Sequence, residues 1–273
     1  MKIAAIQMIS GPEIDANLLE ADRLLEQAAQ GGAKLAVLPE YFPMIGAGDA
    51  DRLNAREYEG SGPVQEFLSS RARHHAIWLV GGSLPLHAQD AGKSRNTCFV
   101  YDDGGRQRAR YDKIHLFSFD DGRERYEEGL FIEGGETVSV CDTPFGKMGL
   151  AICYDLRFPE LFRRMGDIDF IAVPAAFTET TGLAHWELLL RSRAVENQCY
   201  VVASAQGGLH PTGRKTYGNS MIIDPWGKIL AGMDKGSGVV FAEIEPSRIA
   251  EVRKRLPALQ HKKLQVSLTI RIS

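Results

Sequence analysis

The stretch GLAICYDLRFPEL, residues 149–161, passes from an apolar run into a polar turn at Cys153. A nearly continuous apolar run is typical of a strand that is buried on both faces of a sheet. Pro159 indicates the start of a helix, because proline fits the first turn of a helix. The pattern therefore predicts a strand, a turn and a helix, with the Cys153 thiol at the rim of a sheet. At such a junction the backbone N–H of Tyr154 can point at a developing oxyanion.

A lone cysteine is more often a core residue than a nucleophile, so local sequence leaves both interpretations of Cys153 open. The other three cysteines, Cys98, Cys141 and Cys199, lie within strand patterns, where the core interpretation is favoured. No CxxC pair is present, which argues against a metal or redox motif. A chain of 273 residues can bury a large core and does not need disulfides.

Apolar strand patterns recur along the whole chain, whereas helical patterns are fewer. Strands are predicted over residues 2–8, 34–40, 76–84, 96–102, 137–143, 147–155, 169–177, 199–207, 219–227 and 238–245. Helices are predicted over residues 15–30, 63–75, 184–198 and 246–256. Asp15 is the expected N-cap of the first helix. Since no low-complexity linker divides the chain, we expect one α/β domain over residues 1–273, with sheets stacked inside and helices outside.

One short internal echo supports the idea of two similar halves. LAVLPEYF at 35–42 resembles FIAVPAAF at 170–177, with the prolines aligned. Two such halves could pack their sheets face to face. Glu40 in the first half corresponds to Ala175 in the second, so a sandwich of this kind would carry one acidic site rather than two.

Composition and charge narrow the class of protein. The chain is 44% hydrophobic and 25% charged, and its net charge is -3 from 32 basic and 35 acidic residues. This balance argues against nucleic acid or an anionic membrane as a partner. No apolar run approaches the length of a membrane span, and MKIAAIQMIS at the N-terminus runs straight into a strand pattern without a signal-peptide cleavage site. We therefore expect a cytoplasmic protein.

Glu40 and Lys113 each end a strand-like run, in LAVLPE and YDKIHLF respectively. Taken singly, each is more often an ordinary solvated residue after a strand. Taken with Cys153, they supply a proton shuttle whose pKa an apolar pocket would raise, a cation beside the thiol, and a nucleophile. These groups meet the needs of thiol attack on an amide. His115 and His185 could line the pocket, although this chemistry needs no histidine.

The motifs around Glu40, Lys113 and Cys153 resemble the nitrilase (carbon–nitrogen hydrolase) superfamily in sequence, order and spacing. The resemblance extends from residue 2 to about residue 263. Two further segments, AHWELLLRSRAVENQCYVVASAQGG at 184–208 and YGNSMIIDPWG at 217–227, resemble its Nit amidase branch. The resemblance implies a four-layer α-β-β-α sandwich that usually dimerises.

The resemblance also implies further site residues. A second catalytic glutamate falls in RYEEG, where Glu128 aligns best and Glu127 stays an alternative. Some relatives place an arginine on the substrate carboxylate where this chain has Arg157. Arg214 and Lys215 could reach a second anionic group of a longer substrate, or could belong to a solvated loop.

The function implied is a cysteine-dependent amidase without a metal or organic cofactor. It would hydrolyse a small carboxylate-bearing ω-amide to the acid and ammonia through a thioester. Because the loop at 205–220 resembles the deaminated glutathione amidases, deaminated glutathione is the first candidate substrate and the omega-amidase substrate α-ketoglutaramate the second. A nitrilase or acyltransferase using the same site, and an inert binding protein, stay as alternatives.

Two further expectations concern the dimer and the C-terminal tail. The helix after the nucleophile, PELFRRMG at 159–166, carries Leu161, Phe162 and Met165 close together. This apolar breadth, with the family precedent, predicts a homodimer built near the active site. The ending LQVSLTIRIS at 264–273 departs from the polar, tyrosine-bearing segment of relatives, which puts the docking of the tail in doubt.

Overall fold

The computed structural model describes residues 1–264, so residues 265–273 of the atypical tail lie outside the described part. Numbered along the chain, the strands are β1 (Lys2–Gln7), β2 (Leu35–Val37), β3 (Trp78–Val80), β4 (Leu84–His87), β5 (Ser94–Tyr101), β6 (Gln107–Asp112), β7 (Ser118–Asp120), β8 (Arg125–Glu127), β9 (Val140–Thr143), β10 (Gly146–Leu150), β11 (Phe170–Ala175), β12 (Tyr200–Ala205), β13 (Met221–Ile223), β14 (Ile229–Gly232) and β15 (Gly238–Glu243). The helices are α1 (Ile14–Gln30), α2 (Asp49–Asn54), α3 (Pro63–His75), α4 (Pro159–Arg164), α5 (Glu179–Asn197) and α6 (Pro246–Arg255).

The strands form two large sheets and one small hairpin. The first sheet has the order β15-β1-β2-β3-β5-β4, with β6 also pairing with β5. The second sheet has the order β14-β13-β12-β11-β10-β9. The centres of both sheets are parallel, over β1-β2-β3 and over β10-β11-β12, and β7 pairs with β8 on its own. Parallel strands place their carboxyl ends at one edge of the sheet, where the loops that follow them come together.

The two sheets pack face to face, with helices on the outside. Ile3 and Val37 of the first sheet share one buried cluster with Leu150 and Val173 of the second, and β1 lies against β12. A second cluster joins the outer face of the first sheet to α1 and α3, while α5 covers the second sheet and is buried there at Trp186. The predicted four-layer α-β-β-α sandwich is confirmed.

The predicted strands and helices are found with local corrections. Helix α1 begins at Ile14 with Glu13 as its N-cap, so Asp15 lies inside the first turn. Helix α5 begins five residues before the predicted 184, because the Thr178 side chain accepts a hydrogen bond from Thr181 N at 3.3 Å and caps an earlier turn. The run 76–84 is broken into β3 and β4 at Gly82, whose φ of 58° interrupts extended structure.

Helix α4 does not offer the apolar face that the sequence predicted for a dimer. Leu161, Phe162 and Met165 are all buried within the chain itself. The large exposed apolar side chains near the second sheet lie instead on α5, where Leu188 is 65% exposed and Val195 is 48% exposed. The breadth of the apolar surface of α4 reflects packing against its own chain, because the helix is short and contacts α5.

Candidate active site

The three residues predicted to be catalytic come from three loops that meet at one end of the sandwich. Glu40 follows β2, Lys113 follows β6 and Cys153 follows β10. Lys113 Nζ donates a hydrogen bond to Glu40 Oε1 at 2.9 Å, and Glu40 and Cys153 line the same inner cavity. The structure therefore brings together the groups that the sequence analysis selected from three separate motifs.

The Lys113 ammonium is held between two carboxylates. Its side chain is only 1% exposed, and Nζ also donates to Glu128 Oε2 at 2.8 Å. Burial by itself would lower the pKa of Lys113, but the negative charges of Glu128 and Glu40 outweigh it and raise that pKa well above its usual value. The ammonium consequently stays charged at neutral pH.

Glu40 is fixed by polar donors and by its backbone. Besides Lys113, Asn96 Nδ2 donates to Glu40 Oε1 at 2.9 Å, so the carboxylate is not in the apolar pocket that the sequence predicted. The carbonyl oxygen of Glu40 accepts a hydrogen bond from Gln206 Nε2 at 3.1 Å. A Cβ atom at Gly82 would lie 2.2 Å from the Pro39 carbonyl oxygen, so only glycine lets the neighbouring loop pass this close.

Cys153 lies at the predicted strand-to-turn junction, and its backbone there is strained. Its φ is 49°, in the left-handed region that residues other than glycine rarely adopt, and it opens a short 3₁₀ turn, Cys153–Arg157. Burial, and then the negative charge of Glu40, raise the pKa of the thiol well above its usual value. The Lys113 charge and the backbone N–H of Ala176 oppose this rise. The thiol is therefore protonated at neutral pH before substrate arrives.

Glu128, and not Glu127, contacts the catalytic lysine. Glu128 accepts hydrogen bonds from Lys113 Nζ, from the Tyr41 hydroxyl at 3.0 Å and from Phe117 N at 2.8 Å. Burial favours its neutral form, but the Lys113 charge and these hydrogen bonds lower the pKa of Glu128. Glu127 is exposed and pairs with Arg125 at 3.2 Å. The geometry thus places Glu128, rather than Glu127, against Lys113.

A third buried carboxylate, Asp155, connects the loop that carries Lys113 to the turn that carries Cys153. Its oxygens accept from the Tyr111 hydroxyl at 2.7 Å and from Ile152 N at 2.9 Å. On the lysine loop, His115 N lies 3.0 Å and His115 Nδ1 2.7 Å from Asp155 Oδ1. The His115 ring also stacks on Phe158 with 3.7 Å between centroids. His115 therefore connects two loops and does not line the cavity, contrary to the sequence expectation.

The inner cavity is small and reaches Cys153. It is lined by Glu40, Phe117, Glu128, Cys153, Tyr154, Arg157, Ala176, Phe177, Thr178, Thr181 and Arg214. The Arg157 guanidinium lies over the rings of Tyr154 and Phe177, at 5.7 and 5.4 Å from their centroids. His185 is exposed and contacts Arg157 at 3.3 Å without lining the cavity. Arg157 is thus placed to meet a substrate anion, with His185 behind it.

A wider cleft adjoins the inner cavity, and we call it the vestibule. It is lined by Gly46, Ala47, Gly48, Arg52, Phe117, Arg125, Tyr126, Glu127, Glu128, Leu130, Phe131, Thr212 and Arg214. Phe117, Glu128 and Arg214 line both spaces, so they mark the boundary between them. Lys215, which the sequence grouped with Arg214, is exposed and lines neither space.

Sequence reasoning missed several groups that complete the site. Asn96 on β5 and Tyr41 after β2 hold the two glutamates, and Ala176 directs a backbone N–H at the thiol. A polar Asn96 inside the apolar run NTCFVYD was a signal that could have indicated its inward role. Ala176 has no side-chain chemistry, so no sequence pattern could have singled it out.

Two general searches of the described residues bear on cofactors and membranes. Nowhere in residues 1–264 do three His, Cys, Asp or Glu side chains cluster in an arrangement able to hold a metal ion. Among the helices of this part of the chain, none combines the length and the hydropathy that a membrane span requires.

Known proteins resemble this chain over almost its full length. A deaminated glutathione amidase of Synechocystis sp. is 41% identical over 265 residues, covering 95% of this chain and 97% of that protein. One from Yersinia enterocolitica is 38% identical over 276 residues, covering 99% and 96%. The crystal structure of Saccharomyces cerevisiae Nit3, a member of branch 10 of the nitrilase superfamily, matches with a TM-score of 0.85 at 32% identity and covers 97% of both chains. A family model for carbon-nitrogen hydrolase matches residues 2–254, and the chain belongs to the carbon–nitrogen hydrolase family.

Proposed function

We propose that Cys153 is the nucleophile of an amidase that passes through a thioester. The chain is a hydrolase of carbon–nitrogen bonds other than peptide bonds, as its family and its relatives indicate. The proposal rests mainly on one observation: Lys113 Nζ is fixed by Glu40 and Glu128 at 2.9 and 2.8 Å beside the cavity that Cys153 lines. A nucleophile, a carboxylate and a permanent cation are thus held in one buried place.

In the first half of the reaction, Glu40 accepts the Cys153 proton as sulfur attacks the amide carbon. Because the thiol is protonated at rest, proton transfer and attack occur together once substrate is bound. The Lys113 ammonium stabilises the tetrahedral oxyanion as a fixed charge, and the backbone N–H of Tyr154 is the predicted second donor. Glu128 keeps Lys113 charged and in position. Glu40 then protonates the departing amine.

In the second half, water hydrolyses the thioester and restores the thiol. Glu40 is the base that activates this water, after giving its proton to the leaving amine. Lys113 again stabilises the oxyanion, since it never needs to lose its proton. The scheme uses only groups of this chain and requires no metal or organic cofactor.

The acyl part of the substrate carries a carboxylate held by Arg157. A guanidinium can grip a carboxylate through two parallel hydrogen bonds, and Arg157 has no carboxylate within 4.0 Å among the described residues. The names of the relatives make deaminated glutathione the first candidate substrate. The amine released from it is cysteinylglycine, and not the ammonia that the sequence analysis expected.

The second candidate substrate is α-ketoglutaramate. It is a short primary amide whose carboxylate Arg157, which lines the inner cavity, could bind. Hydrolysis of that compound would release ammonia. A nitrile would have to react at the same Cys153, but it would leave the boundary group Arg214 without a function.

We also propose that the chain works as a homodimer in the cytoplasm and folds as a single domain. The exposed Leu188 and Val195 of α5, with Trp226 at 56% exposure, are apolar surface of the kind that marks protein interfaces. All four cysteines, each in the described part of the chain, are free thiols, which suits a reducing compartment. The two sheets share one apolar cluster, which supports a single domain.

Substitution of the nucleophile tests the proposal directly. Cys153→Ala should abolish turnover of both candidate amides while the protein stays folded, because no other thiol lines the cavity to form the thioester. Intact-mass spectrometry during turnover should detect an acyl adduct on the wild type only. Cys199→Ala, at a buried thiol outside the cavity, is the matched control and should retain turnover. Near-wild-type activity of Cys153→Ala would overturn the mechanism.

A further inference from the structure

Arg214 occupies the boundary between the inner cavity and the vestibule. It lines both spaces, and its guanidinium lies over the Tyr126 ring at 5.8 Å from the centroid. A substrate that extends from the inner cavity into the vestibule therefore passes this side chain. The space near Cys153 is far smaller than the roughly 300–1,000 Å³ of pockets that hold drug-sized ligands, so a tripeptide-sized amide would extend beyond the inner cavity.

The Arg214 guanidinium forms no ion pair with any described residue. Its Nε is buried without a hydrogen-bond partner, and no carboxylate of residues 1–264 lies within 4.0 Å of its guanidinium. Thr212 Oγ1, which lines the vestibule, is likewise buried without a partner. Arg125 also lines the vestibule, but it pairs with Glu127 at 3.2 Å. Buried donors are normally paired, so Arg214 and Thr212 together offer donors to an oxygen-bearing anion.

The loop that carries Arg214 is anchored, and it is not the solvated loop that the sequence left as an alternative. His210 N donates to the Arg214 carbonyl at 2.9 Å, and Gly213 closes the turn with a φ of 83°. The buried His210 ring lies 2.8 Å from the Ser10 carbonyl and 2.7 Å from Thr216 Oγ1. Burial lowers the pKa of His210, so the ring is neutral when it makes these contacts. Arg214 is thus presented from a fixed hairpin.

We propose that Arg214, with Thr212 beside it, binds a carboxylate on the departing amine part of the substrate. This inference rests on the proposed function, in which Arg157 holds the carboxylate of the acyl part inside the inner cavity. Arg157 then binds the part of the substrate on the acyl side of the scissile bond, and Arg214 binds the part on the leaving-group side. The ligand class is an amide whose leaving group is a short peptide ending in a free carboxylate.

The test compares leaving groups that differ only in charge. Two amides share the α-ketoglutaryl acyl part: one leaves as cysteinylglycine, and the other leaves as cysteinylglycinamide, in which the terminal carboxylate is a neutral carboxamide. The readout is the ratio of kcat/KM for acid over carboxamide, measured within each variant, so a loss of folded enzyme cancels. Wild type should prefer the acid by about tenfold or more, which corresponds to about 1.4 kcal/mol.

Arg214→Gln should reduce this ratio to near one, and Arg214→Lys should restore part of it because the charge returns. The matched control is Lys215→Gln. It removes a positive charge from the next residue, whose side chain lines neither space, and it should keep the wild-type ratio. An unchanged ratio in Arg214→Gln would overturn the subsite and leave the amidase standing. No turnover of either amide, or of α-ketoglutaramate, by wild type would overturn the proposed function itself.

Discussion

Replacement of Glu128 by glutamine tests whether Glu128, and not the adjacent Glu127, holds Lys113 in position. Glutamine keeps the size of Glu128 but removes the charge that faces Lys113 at 2.8 Å. It also places an amide against the N–H of Phe117 and the hydroxyl of Tyr41, both of which need an acceptor. Glu127→Gln is the matched control, because the same change occurs one residue earlier on a side chain that is 44% exposed.

The expected magnitude follows from the burial of the pair. Breaking a buried ion pair costs about 3–5 kcal/mol when the remaining charge is left alone. Lys113 keeps Glu40 as a partner, so the free energy of unfolding of Glu128→Gln should fall by about 2–4 kcal/mol. This lies between the about 1.5–3 kcal/mol of a charged hydrogen bond and the about 3–5 kcal/mol of a broken buried ion pair. For a chain of this size the Tm should fall by roughly 5–12 °C. Glu127→Gln should change the free energy of unfolding by less than about 0.5 kcal/mol.

Activity and pH dependence extend the test of Glu128. The kcat of Glu128→Gln should fall by about a hundredfold, because Lys113 loses part of what orients it toward the oxyanion. Folding lowers the pKa of Glu128 from 4.5, so its stabilising contribution is complete above about pH 4.5 and is lost as pH falls through the folded value. Thermal scans of wild type and Glu128→Gln should show a constant stability gap above about pH 5 and convergence as the pH falls below 4.5. A larger effect of Glu127→Gln, or a stability gap that widens in acid, would refute this reasoning.

Three further predictions concern the lysine, the thiol and the outer helix. Lys113→Met should lower kcat by about a hundredfold or more with little change in KM, since the fixed charge acts in the transition state; a change confined to KM would contradict this role. Because the pKa of the Cys153 thiol is raised well above 9.0, iodoacetamide should alkylate it slowly at pH 7 and ever faster above pH 9, as followed by peptide mass spectrometry; a plateau near pH 7 would show a thiolate at rest. Leu188→Asp on α5 should convert a dimer into a 30.1 kDa monomer in light scattering, whereas Leu19→Asp, at an equally exposed leucine of α1, should not; a monomeric wild type would remove the dimer proposal.

The catalytic motifs could be predicted from sequence because chemistry and secondary structure change at the same residues. Glu40, Lys113 and Cys153 each stand where an apolar or strand-like run ends. Glu40 and Cys153 follow central parallel strands, whose carboxyl ends lie at one edge of each sheet, whereas Lys113 follows β6, which pairs antiparallel with β5. The sequence pattern therefore predicted both the fold class and the candidate site. The resemblance to a family added the second glutamate, Glu128.

Other features depend on tertiary packing that no local pattern records. The β7–β8 hairpin turns Glu127 to solvent and Glu128 to Lys113, although the two residues are identical in type and adjacent. Likewise the apolar residues of α4 and of α5 look alike in sequence, but only those of α5 include large exposed side chains such as Leu188. Burial is decided by which element covers which face, and this is known only when the chain has folded.

Backbone strain and hydrogen bonding are coupled at this site. Tyr41 and Cys153 both have left-handed backbone conformations, with φ of 55° and 49°, and each such residue costs about 1–3 kcal/mol. Tyr41 directly follows Glu40, and Cys153 is the proposed nucleophile. The compensating hydrogen bonds come from buried carboxylates: Glu128 accepts from the Tyr41 hydroxyl, and Asp155 accepts from the backbone N–H that precedes Cys153. Because those same carboxylates also hold Lys113 and its loop, neither turn can relax without moving the cation. The position of the Lys113 ammonium is therefore set within the folded chain, which is the preorganisation that the proposed oxyanion stabilisation requires.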